Sequence, residues 1–183
     1  MKKNTGFKLA LLTAALMVLP VAHAATMSKA DYESTKTRIK ADYKTDKAAC
    51  DSQSGNPKDI CVEVGKAKEK VALAELAYAY SGKAADHNKV LVAKAESSYA
   101  VAKERCDDLA GNPKDVCVKQ AKAVKVKALA DAKLGKQIGE ARKDAATDKR
   151  DADYKVAIEK CDALAGDAKS SCVASAKLSY GKT

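Results

Sequence analysis

Apolar positions along much of this chain recur at intervals of three and four. Val92, Ala95, Tyr99, Ala102, Cys106 and Leu109 are spaced 3, 4, 3, 4 and 3. Ile60, Val64, Ala67, Val71, Ala74 and Tyr78 are spaced 4, 3, 4, 3 and 4. That period places one stripe of side chains on one side of an α-helix and gives a coiled-coil-like seam. Polar stretches with glycine interrupt the pattern. It predicts six helices, at 28–54, 57–80, 86–110, 113–134, 142–165 and 168–180. Ser81-Gly82 is expected to end one pair of helices, and Gly135 and Gly139 the next. The alternative is one long irregular coiled coil without discrete hairpins.

The helices belong to a repeat. Cys50-DSQSGNPKDI-Cys61, Cys106-DDLAGNPKDV-Cys117 and Cys161-DALAGDAKSS-Cys172 are versions of one segment, and their first cysteines are 56 and then 55 residues apart. Tyr43, Tyr99 and Tyr154 each precede the first cysteine by seven, and Val62, Val118 and Val173 each follow the second. Agreement at fixed offsets marks internal duplication. The centre of each segment predicts a tight turn between antiparallel helices. Gly55, Gly111 and Gly166 suit a left-handed position beyond a helix end. Asn56, Asn112 and Asp167 are good N-caps, and Pro57 and Pro113 suit a first helical turn. The fold class is therefore all-α, with three repeated antiparallel hairpins: 28–82, 86–135, and 136–183 including a linker.

The start of the chain fits export. Lys2, Lys3 and Lys8 precede an apolar run from Leu9 to Leu19, Pro20 follows, and Ala22-His23-Ala24 offers a small-x-small cleavage pattern. Residues 1–24 are accordingly expected to be a cleaved signal peptide. The run is about half the ~20 residues that a spanning helix needs. No later segment is apolar enough to cross a membrane. Six cysteines in an exported chain point to disulfides. Fifteen connectivities are possible, and the repeat selects the local one: Cys50–Cys61, Cys106–Cys117 and Cys161–Cys172. Each pair sits about one turn on either side of a bend, where facing helices bring the two residues within bridging distance.

Composition explains why bridges matter. The residues after the leader hold 24 Leu, Ile and Val, about 15%, which is below the level of ordinary globular domains, and 32 alanines. Alanine favours helix but buries little area. The formal charge is +10, and loss of three leader lysines leaves +7. Between Lys114 and Lys136 lie seven lysines and two aspartates. Lys114, Lys119, Lys122, Lys125, Lys133 and Lys136 fill an arc of about 140° beside the seam and are the candidate anion-binding residues. The arc carries no arginine or aromatic residue, so sequence-specific nucleic-acid binding is not expected. Lys58, Lys114 and Lys169 recur at the turns. Catalytic motifs are missing: there is no C-x-x-C, P-loop, G-x-G-x-x-G or H-E-x-x-H, and His87 is the one histidine after the leader. No catalytic residue, metal or cofactor is expected.

The run YESTKTRIKADYKTDKAACDSQSGNPKDICVEVGKAKEKVALAEL resembles a group of small exported helical proteins of Gram-negative, particularly β-proteobacterial, bacteria. They are sometimes labelled TolA-like cell-envelope biogenesis proteins. The motif C-D-x-x-x-G-N-x-K-D-x-C carries the resemblance, which implies a periplasmic location and no catalytic residue. The functional expectation is a non-enzymatic structural or adaptor protein of the cell envelope, with an envelope protein as partner. The alternative expectation is a binder of anionic envelope molecules (lipid A phosphates, anionic lipid, DNA or acidic protein) through the lysine arc.

Overall fold

A computed structural model describes residues 27–183. The expected signal peptide at 1–24 lies outside the described residues. Five α-helices follow in order: α1 (Lys29–Ala49), α2 (Gly55–Ser81), α3 (Ala84–Cys106), α4 (Gly111–Asp162) and α5 (Gly166–Tyr180). The chain is all-α, and its three disulfides join Cys50 to Cys61, Cys106 to Cys117 and Cys161 to Cys172. These are the three expected hairpins: α1 with α2, α3 with the first part of α4, and the last part of α4 with α5.

One expected break is not made. Gly135 and Gly139 lie inside a 52-residue α4, so the described residues form five α-helices and not six. Glycine costs a helix interior about 1 kcal/mol relative to alanine, and strong helix formers flank both positions. At the first junction the chain does turn. Gly82 adopts φ 62° and caps α2, its N–H donating to the Tyr78 carbonyl. Gly135 and Gly139 are not among the glycines with positive φ.

The turn chemistry also differs in one detail. Gly55, Gly111 and Gly166 do take the left-handed conformation, at φ 61°, 59° and 56°. They open the second helix of each hairpin, however, and do not close the first. Asn56 is consequently not an N-cap. Its Nδ2 donates across to the Glu104 carbonyl at 3.2 Å and to Asp108 Oδ1 at 2.6 Å. It ties the first hairpin tip to the second.

Packing among the described residues is strictly between consecutive helices: α1 with α2, α2 with α3, α3 with α4, and α4 with α5. The helices form an open row and enclose no common core. The fully buried side chains are Cys50, Cys106 and Cys161, one per hairpin. Leu76, Val90, Ala93, Ala95, Ala132 and Ala176 are the other buried apolar residues. Tyrosines close the open ends of two hairpins: Tyr32 stacks on Tyr80 at 4.7 Å, and Tyr154 meets Tyr180 at 6.1 Å. Each bridge closes a loop of about a dozen residues, which contributes roughly 3 kcal/mol in the chain-entropy treatment.

With so few buried apolar groups, reduction should lower the melting temperature by well over 10 °C, while circular dichroism retains most of the helix signal at room temperature (the shift follows from about 4–8 °C per kcal/mol in small domains). An unchanged melt after full reduction would mean that helix packing alone holds the hairpins.

Candidate functional site

The three tips share one construction. Lys58 pairs with Asp51, Lys114 with Asp107 and Lys169 with Asp162, each at 2.9 Å. In every unit the aspartate follows the first cysteine and the lysine comes seven residues later, across the bend. The Cα atoms of the bridged cysteines lie 5.7, 5.7 and 5.6 Å apart. Each tip is therefore closed twice, by sulfur inside and by an ion pair outside. The recurring Asp–Lys spacing was present in the sequence as the signal for these pairs. The turn lysines are thus engaged and do not project as a free edge.

The lysine arc is not uniform. Lys114 is half-buried in its tip pair. Lys125 is half-buried with its ammonium 4.1 Å from the centre of the Tyr99 ring, which anchors α4 on α3. Lys136 reaches Glu140 at 3.7 Å. Lys119, Lys122 and Lys133 are exposed, and no carboxylate lies within 4.0 Å of their ammonium groups among the described residues. These three form the open part of the arc.

Every residue from Lys133 to Arg150 is exposed. Yet the start of α3 (Ala84, His87, Leu91) still flanks Gly135, Gly139 and Lys143, and Asp151 already meets Lys182 of the third hairpin. Only the short stretch between runs on alone. A 52-residue helix is about 78 Å long, and it carries the second hairpin at one end and the third at the other, with the residues between Lys143 and Asp151 as the spacer.

On the other side of α3, the α2–α3 joint leaves a groove of about 600 Å3. Val64, Val71, Val101 and Ala102 line it, and the Lys94–Glu75 ion pair at 2.7 Å spans it. Ser97 is buried there, and its Oγ has no hydrogen-bond partner. His87 packs against Tyr78, with ring centroids 5.0 Å apart. Among the described residues no group of three or more His, Cys, Asp and Glu side chains converges as a metal site would, and no helix is long and apolar enough to cross a membrane.

Two groups near helix ends have displaced acidities. Lys182 Nζ donates to Asp151 Oδ1 at 2.6 Å and holds that carboxyl below its usual range. Lys89 and the Ser81 hydroxyl do the same for Asp86 at the α2–α3 turn. Three disulfides with no free cysteine among the described residues suit an oxidising, exported environment. Searches of family models, curated proteins and solved structures find no match to this chain.

A depressed carboxyl contributes stability above its unfolded acidity, and that contribution is lost as pH falls through the folded value. The Asp151–Lys182 contact should thus keep the end of α5 closed at neutral pH and release it below about pH 3.9, the unperturbed aspartate value. Tyr154 and Tyr180 resonances followed from pH 7 to 2 should show this step, and Asp151→Asn should remove it. A step that persists in the variant would assign the opening to another group.

Proposed function

We propose that this chain is a non-enzymatic structural adaptor of the periplasm, in which α4 holds two disulfide-pinned ends at a fixed separation for envelope partners. The observation that carries this reading is that α4 continues unbroken from the second hairpin, whose α3 flanks it as far as Lys143, to the third, which begins at Asp151. Within one chain the residues between are exposed and bury no core, so the unbroken helix sets the spacing of the two ends. The resemblance of the Cys50–Cys61 region to exported Gram-negative envelope proteins supports the compartment, as do the bridges.

The test is a pull-down from native periplasm with the oxidised chain, followed by cross-linking to map each partner to an end. The rod is then interrupted by Ala141→Pro, which costs a helix interior about 3 kcal/mol yet lies far from every disulfide. Partners should still bind each end but should no longer be recovered together. Equal co-recovery from both forms, or no partner at either end, would remove the adaptor reading.

A second reading has its own observation. Exposed, unpaired Lys119, Lys122 and Lys133 would attract an anionic envelope surface. Replacing Lys119, Lys122, Lys125 and Lys133 with glutamine should weaken binding to vesicles containing anionic lipid and flatten its salt dependence. The matched control replaces Lys29, Lys40, Lys44 and Lys47 on α1, which are exposed and outside every ion pair. Equal losses would reduce the effect to net charge.

A further inference from the structure

The first two hairpins show how one unit joins the next. At the α2–α3 joint the second helix of one unit lies antiparallel on the first helix of the following unit. Ala72, Val71 and Val101 line the contact, and Glu75 bonds Lys94 at 2.7 Å across it. Counting from the cysteines, the same joint is written again in α4. Glu75 corresponds to Asp131 and Lys94 to Lys149, so the charge pair recurs with its signs kept. Ala72 corresponds to Ala128, Ser97 to Ala152 and Val101 to Val156, while Val71 is replaced by Lys127.

In α4 these partners cannot meet. Asp131 and Lys149 are 18 residues apart on one continuous helix, about 27 Å along its axis. Both halves of the joint fall on a single face. Val124, Leu134, Ile138, Ala145, Ala152 and Val156 share an arc of about 80°, with Asp131 and Lys149 inside it. Nothing among the described residues covers this face: Val124 is 65% exposed, Leu134 55%, Val156 54% and Ile138 43%. Bending α4 back would need a left-handed turn like that at Gly82, and Gly135 and Gly139 are helical.

We propose that α4 pairs antiparallel with α4 of a second copy, about a twofold axis near residue 140. The first half of each helix then packs on the second half of the other. Asp131 faces Lys149 of the second copy and the reverse, which gives the charge pair twice. Val124 meets Val156 and Leu134 meets Ala145, with Ala128 at the edge of the contact beside Ala152. Ile138 and Leu134 lie nearest the axis, alanines flank them, and Val124 with Val156 closes the ends. Each half of the dimer then carries α1, α2, α3 and the start of α4 from one chain, followed by the end of α4 and α5 from the other. That completes an uninterrupted row of six helices by exchange of the third hairpin, a low-cost route to dimers when the same joint exists within the chain. The proposal rests on the internal repeat, and the adaptor reading can fail without it.

The oxidised chain without its leader should sediment as a dimer. Asp131→Lys or Lys149→Asp alone replaces two attractions with two repulsions and should weaken the dimer by about tenfold or more, while the two changes together should restore it to within about threefold. Circular dichroism and thiol counts on each variant separate lost pairing from lost folding, since both side chains project from a helix surface. Fluorophores at positions 128 and 152 on separate copies should transfer energy when the copies are mixed. A chain that stays monomeric at the highest concentrations reached overturns the proposal. A dimer indifferent to both charge reversals overturns it as well.

Discussion

An alanine side chain removes too little surface from water to hold two helices side by side for long. This chain has 32 alanines after residue 24 and few larger apolar residues, and its described helices touch only the helices next to them in sequence. The sulfur bridge at each tip supplies what such a contact lacks. It sets the two helices of a hairpin at a fixed spacing where the seam is thinnest, and the outer Asp–Lys pair reinforces it. The seams, tyrosine clasps and cross-tip hydrogen bond of Asn56 all begin from helices already held together at one end.

Nearest-neighbour packing also explains why identical local sequences meet different fates. Asn56 and Asn112 occupy the same place in the repeat. Asn56 finds Glu104 and Asp108 because α3 returns beside α2. Asn112 is exposed because α4 carries the third hairpin away from its tip. The repeat thus defines the hairpins, and the junctions decide what lies beside them. In a solenoid-like array the energy of each interface adds almost independently of the others. One junction can therefore stay extended without disturbing the rest.

What could be read before the structure follows the same division. Helical period, cysteine pairing and the left-handed tip glycines are local, and each was legible from a dozen or so residues. That the helix runs through Gly135 and Gly139 was not legible, because a glycine inside a helix signals only a cost of about 1 kcal/mol. Whether a turn replaces the helix depends on what the turned chain would pack against. The lysine arc was legible as a pattern but not as a set of free charges. Asp107 lies in the preceding loop and Tyr99 on the adjacent helix, and only the hairpin brings them to Lys114 and Lys125.

The short sequence separation of the bridges has a consequence for how the protein matures. Each correct partner lies 11 residues away, while the nearest wrong pairing, Cys117 to Cys161, lies 44 away along the chain. Loop-closure probability falls with length to the power of about three-halves, so local pairing is favoured about eightfold even in a chain without structure. Once a hairpin begins to form, its own thiols are held together and the others are held apart. Oxidation can then proceed unit by unit as thiols become available, with little need for isomerase to sort misplaced bridges. A chain with a weak core thereby gains its covalent framework early, before its helices have found their neighbours.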